Sequence, residues 1–132
     1  MGRMIISIFV VLLLTSTCLA SSLSVCGPSA EVKRRYVVIA DTWNDTLVVE
    51  TTNEIVWSDL TQMYLTKKER FVCGTVDRYN NRWGFRLRPS TIIVADVTAE
   101  ALQTYLRYVR SHLSYWLNNT ACFSSRVVKI QC

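Results

Sequence analysis

One histidine, His112, is all that the 132 residues supply. No C-x₂₋₄-C pair is present either, so the usual cysteine and histidine ligand sets for zinc cannot be assembled. Nucleophilic catalysis by serine or cysteine needs a neighbouring base, and His112 is the sole imidazole for that role. The phosphate-cradling glycine loop, the EF-hand loop and the dinucleotide fingerprint are missing. Nothing repeats along the chain, and no low-complexity linker divides it. These absences point away from enzymes and predict a protein with no cofactor and no metal.

What is present begins with a processing signal. Arg3 precedes the apolar run MIISIFVVLLL (Met4–Leu14), and TSTCLASS supplies small residues for cleavage after Ala20. The apolar run is shorter than the about 20 residues a spanning helix needs. No second run of that kind follows. The expectation is a signal peptide over residues 1–20 and a single secreted, extracellular domain over residues 21–132, with no transmembrane segment after processing. Loss of Arg3 leaves 14 Lys+Arg against 10 Asp+Glu, a formal +4. So small an excess directs binding only where it clusters.

Cys26, Cys73, Cys122 and Cys132 remain in the mature chain. An even count in a secreted domain reads as two disulfides, with three connectivities open. Two sequons, at Asn44 and Asn118, fall in predicted loops and mark glycosylation sites.

YVVIA (Tyr36–Ala40) is apolar and rich in β-branched residues, which predicts a buried strand. TWNDT reads as a turn, and TLVVETT adds a strand or an edge segment. Asn53–Lys68 shifts to helical spacing through Ile55, Val56, Leu60, Met63 and Tyr64. Arg70–Arg78 is a strand. Asn80 and Asn81 suit the positive-φ positions of a tight hairpin turn. Beyond them Trp83, Phe85 and Leu87 alternate with Arg82, Arg86 and Arg88, the period of a strand. Pro89 interrupts it, and Thr91–Val97 continues extended. Thr98–Leu117 carries an apolar stripe from Leu102 to Leu117 and predicts one long helix. Arg126–Gln131 alternates as a last strand.

The order β-α-β-β-(β)-α-β predicts an α+β domain, an antiparallel or mixed sheet with two helices on one face. A split β-α-β, ferredoxin-like arrangement is one way to build it. There the last strand lies antiparallel beside the first and favours a Cys26–Cys132 bridge. That leaves Cys73 with Cys122, a pair that joins opposite edges of such a sheet and fits it less well.

The arginines are the main physical feature. Arg82, Arg86 and Arg88 would line one strand face over about 20 Å, with Arg78 across the turn. Such a stripe suits a sulfated glycan, acidic lipid headgroups or an acidic protein surface. A charged, solvated outer face is the plain alternative. Nucleic acid is disfavoured, because Trp83 and Phe85 point away from the arginines and cannot stack bases beside them. His112 borders the apolar stripe, where a structural histidine is the plain reading. A small hydrolase or lyase would pair it with Glu100 or with the hydroxyl of Ser124 or Ser125. Glu100 and Asp96 suit capping at a helix start better than acid–base work. An effector or inhibitor acting by protein contact would use Thr42–Thr52 or the N-terminal arm.

Several of these residues form a pattern. Gly74-Thr75-Val76, Tyr79-Asn80, Trp83, Phe85, Leu87, Pro89 and Thr91-Ile92 are followed by Glu100, Tyr108-Val109, His112-Leu113 and Ser124-Ser125-Arg126-Val127. Over about residues 74–128 the chain resembles an N-terminal domain family named after a calmodulin-binding protein. The resemblance implies a compact α+β module in secreted or multidomain proteins, with no settled enzymatic activity to carry over. Calmodulin binding is not carried over, since a secreted domain would not meet a cytosolic protein. The resemblance also suggests that Trp83, Glu100, His112 and Arg126 converge; a core tryptophan beside a self-satisfied polar network explains them as well. Two departures stand out. The family has a cysteine where Leu102 stands, and Cys-Pro-Trp where Ala121-Cys122-Phe123 stands, so the disulfide pattern belongs to this protein.

Overall fold

The computed structural model describes residues 35–131. The expected signal segment, Cys26 and Cys132 lie outside the described residues, as does the expected Cys26–Cys132 bridge. The first strand, β1 (Arg35–Ala40), turns back into β2 (Thr46–Thr51). Helix α1 (Glu54–Thr66) follows, then β3 (Arg70–Arg78), β4 (Phe85–Leu87) and β5 (Ile93–Ala95). Two short helices, α2 (Leu106–Ser111) and α3 (Leu113–Trp116), precede the long last strand β6 (Thr120–Gln131).

The α+β expectation holds. The six strands form one antiparallel sheet in the order β2-β1-β6-β3-β4, with β5 also paired to β3. The last strand lies antiparallel beside the first, as expected. It also lies beside β3, so the last strand takes a central place. A split β-α-β sheet would put the first strand there instead. The first half of β6 pairs with β3 and the second half with β1, with a register shift between Val38 and Ile39. A bulge of this kind bends a strand and increases its twist. The sheet curls until β2 and β4, its two ends, approach each other.

Inward-facing residues alternate along the strands, as a half-buried sheet requires. Val37, Ile39, Val49, Val72, Val76, Phe85, Leu87 and Phe123 are buried. A fully buried side chain of this size stabilises by about 1.5–3 kcal/mol. Helix α1 begins at Asn53, whose Oδ1 accepts the Ile55 and Val56 N–H groups. It ends at Lys67, which takes the left-handed conformation. Its buried stripe is Val56, Trp57, Leu60 and Met63, while Ile55 and Tyr64 are exposed. The stripe is thus rotated by one position from the sequence expectation.

The long helix expected over Thr98–Leu117 does not form. Its place is taken by a 3₁₀ turn (Glu100–Leu102), α2 and α3. Gln103 forms a bridge with Cys122, and the Thr104 N–H bonds the Cys122 carbonyl at 3.0 Å. The backbone there bonds to β6 and cannot continue a helix. Tyr105 is extended, and His112 leaves helical geometry between α2 and α3. Of the expected stripe only Leu106, Val109 and Trp116 are buried.

Candidate functional site

The turn after β3 is wider than a two-residue hairpin turn. Neither Asn80 nor Asn81 has a positive φ; that conformation falls to Gly84 at φ 77°. Asn81 acts through its side chain instead. Its Oδ1 accepts the Trp83 N–H at 3.0 Å, and its Nδ2 donates to the Phe85 carbonyl at 2.8 Å. This loop delays strand pairing until Phe85, so β4 is three residues long and Arg82 and Trp83 sit in the loop. Trp83, Phe85 and Leu87 are all buried, as their alternation predicts.

The Trp83 indole N–H crosses to β2 and donates to the Thr46 carbonyl at 2.8 Å. Beside it a cleft of about 370 Å³ opens where β2 and β4 approach without pairing. Tyr36, Val48 and Glu50 line one side, and Tyr79, Arg82, Trp83 and Arg86 the other. Tyr36 and Glu50 are direct cross-strand partners between β1 and β2. The Arg86 guanidinium lies over the Tyr79 ring, 4.7 Å from its centroid. Arg82 lies 4.8 Å from the Trp83 centroid, and Arg110 of α2 lies 4.7 Å from the same ring. Guanidinium groups over aromatic faces are held in place and can present N–H groups at their edges to an anion. Arg82 Nη2 also reaches the Thr46 carbonyl and hydroxyl, at 3.4 and 3.5 Å.

The four arginines do not form one stripe. Arg82 and Arg86 share the cleft. Arg88 is turned aside: its Nη2 donates to Asp77 Oδ1 at 3.2 Å and to Asn118 Oδ1 at 3.3 Å. Arg78 is exposed at the end of β3, outside the cleft lining. Asp77 also faces Arg86, but at 3.7 Å from Nε, beyond hydrogen-bond length. Arg86 Nε is buried and has no hydrogen-bond partner among the described residues. Local sequence does not mark Arg110 or Tyr36 as site residues, and it marks Tyr79 only as part of the family pattern. Arg110 meets Trp83 across 27 positions of chain, a contact without a local signal.

Trp83, Glu100, His112 and Arg126 are not joined by any hydrogen bond or ion pair among the described residues. Trp83 bonds Thr46. Arg126 bonds the side-chain oxygen of Asn44. His112 is exposed, stacked on Tyr108 at 4.1 Å, with Nδ1 3.1 Å from the Tyr108 carbonyl. Glu100 is exposed in its 3₁₀ turn and caps no helix. Ser125 is buried and donates to the Phe123 carbonyl. Asp96 pairs with Arg70 at 2.8 Å rather than capping a helix. The four residues thus sit in separate local surroundings, Trp83 against Thr46, Arg126 against Asn44 and His112 against Tyr108.

Cys73 and Cys122 are disulfide-bonded. They stand directly opposite in the β3–β6 ladder, Cα atoms 4.1 Å apart. The objection that they belong to opposite sheet edges falls, because β6 sits beside β3. Both sequon asparagines, Asn44 and Asn118, are exposed and adopt left-handed conformations, at φ 62° and 64°.

Among the described residues no group of three or more histidine, cysteine or acidic side chains is placed to hold a metal ion. No helix there is long and apolar enough to cross a membrane. No curated protein and no solved structure matches the chain. A family model does: that of the BP-74 N-terminal domain matches residues 33–131, and this chain belongs to that family.

Proposed function

We propose that this chain is a secreted, disulfide-stabilised binding module, without enzymatic activity, that takes an anionic group in the cleft between β2 and β4. The observation that carries the reading is Arg86. Among the described residues its Nε is a buried donor with no hydrogen-bond partner, Asp77 standing 3.7 Å away, and the side chain lines a cleft that it shares with Arg82. A buried guanidinium donor is seldom left unpaired, and sulfate, phosphate and carboxylate oxygens match its geometry. Asp77 serves both Arg86 and Arg88, so one carboxylate faces two cations. Glu50 lines the far side of the cleft and favours a ligand whose anionic group sits at the arginine end. An anionic glycan, an acidic lipid headgroup or an acidic protein surface would each supply such a group. The exposed turns at Asn44 and Asn118 suit glycan attachment in a secretory host.

Retention on a heparin column tests the site. The protein should elute at a salt concentration well above that of the Arg82→Glu plus Arg86→Glu variant, because screening weakens ion pairing. Arg88→Ala should change retention little, since Arg88 is already engaged by Asp77 and Asn118. Equal elution of wild type and the double variant would overturn the site. Glycan attachment is tested by the mass lost on endoglycosidase treatment of protein secreted from a eukaryotic host. Asn44→Gln and Asn118→Gln should each remove one increment.

A further inference from the structure

A second cleft, of about 400 Å³, shares no lining residue with the first. Gln103, Thr104, Tyr105, Tyr108, Tyr115 and Trp116 build its wall. Its volume falls in the range of small-ligand pockets, about 300–1,000 Å³. Among the described residues, two side-chain polar atoms of lining residues, Thr104 Oγ1 and Trp116 Nε1, are buried without a hydrogen-bond partner. Thr104 is 8% exposed and Trp116 is 4% exposed. Buried polar atoms in folded proteins are nearly always paired. Two unpaired ones behind one wall are open to a partner that the described residues do not supply.

The break in the expected long helix creates this wall. Thr104 is drawn onto β6 by its bond to the Cys122 carbonyl, and Tyr105 is extended. Tyr105, Tyr108 and Tyr115 are all exposed. Tyr115 stands at 88° to Trp116, which makes a corner of two rings. His112 stacks on Tyr108 and holds that ring in place. Among the described residues no carboxylate, ammonium or guanidinium lines the cleft. An ionic ligand would therefore find no counter-charge there. The occupant has to be neutral, to offer an apolar face to a phenol ring, and to carry groups that both donate and accept. The indole N–H requires an acceptor, and the threonine hydroxyl takes either role.

We propose that this cleft binds one neutral pyranose unit of a glycan. The C–H face of the sugar ring rests on a tyrosine, and its hydroxyls bond Thr104 Oγ1 and Trp116 Nε1. A flat heterocycle would also stack, but it lacks the adjacent hydroxyls that each donate and accept. This site is independent of the arginine cleft.

Saturation-transfer NMR provides the test, with the whole secreted chain and a panel of neutral oligosaccharides ending in glucose, galactose, mannose or N-acetylglucosamine. Adenine, which has no hydroxyl, serves as the flat-ring comparison. At least one sugar should bind with a Kd of about 1 mM or tighter. Tyr115→Ala removes an exposed ring, and Thr104→Val replaces the hydroxyl with a methyl of like shape. Each should weaken binding about tenfold, the worth of one good contact. The Arg82→Glu plus Arg86→Glu variant should bind the sugar as wild type does, so loss of either site is read separately. No transfer from any neutral sugar, transfer unchanged in both cleft variants, or binding of adenine alone would overturn the proposal. So would Thr104→Val that raises stability while no sugar binds, because the hydroxyl is then only a packing defect.

Discussion

The indole N–H of Trp83 donates to the Thr46 carbonyl, 2.8 Å away and 37 positions earlier in the chain. This bond ties the loop before β4 to the edge of β2 and closes the curled sheet where the strands themselves do not pair. Trp83→Phe keeps most of the buried ring and removes the donor. It should cost about 1–2 kcal/mol, because the Thr46 carbonyl then keeps only the longer contact from Arg82 Nη2, at 3.4 Å. A urea unfolding midpoint measures the loss. A midpoint equal to that of wild type would show that the seam does not depend on this bond.

Asp41 joins the β1–β2 turn to α2. Its Oδ1 accepts the Trp43 and Asp45 N–H groups at 2.9 and 3.1 Å, and its Oδ2 accepts the Leu106 N–H at 3.0 Å. The residue is buried. Asp41→Ala strands these backbone donors and should destabilise by about 3 kcal/mol, with α2 fraying first. Hydrogen exchange at Leu106 and Val109 should rise more than at Val72 if the carboxylate is what holds that helix.

The Cys73–Cys122 bond closes a loop with a sequence separation of 49. Chain-entropy arguments give a loop of this size about 4 kcal/mol of stabilisation. Cys73→Ala plus Cys122→Ala should lower unfolding stability by about that amount while the β3–β6 pairing persists in the folded fraction. A loss below about 1 kcal/mol, under the about 2–5 kcal/mol usual for native disulfides, would mean that the unfolded chain is not constrained as the entropy model requires.

Gly74 is sterically committed. A Cβ there would lie 2.9 Å from Ile92 Cδ1 and 3.0 Å from Leu87 Cβ. The isoleucine tip can move, but the Leu87 Cβ is fixed by β4. Gly74→Ala should therefore destabilise by about 1–3 kcal/mol through overpacking, despite alanine's lower backbone entropy cost. A thermal melt reads this directly, and a stabilised variant would show that β4 can shift.

Much of the fold follows from local pattern. Strands β1 and β3 lie within a residue of the stretches that alternation and β-branched content mark, and α1 starts at the asparagine that caps it. The burial of Trp83, Phe85 and Leu87 is legible because a strand alternates every two residues. The broken helix is not legible. Leu102 to Leu117 repeats at helical spacing, yet Thr104 bonds β6 and Asp41 caps Leu106 from 65 positions away. Tertiary partners overrode a periodicity that was real.

The same division applies to the arginines. Their number, their spacing and their place beside aromatic residues are written in the local sequence. Which of them face a cleft depends on Asp77 and Asn118, which engage Arg88, and on the curl that brings β2 to Arg82 and Arg86. The pairing of Cys73 with Cys122 likewise waits on β6 settling next to β3. Turn chemistry, caps and alternation act over a few residues and can be read along the chain. Ion pairing, cleft formation and disulfide geometry join residues tens of positions apart, and folding alone brings those together.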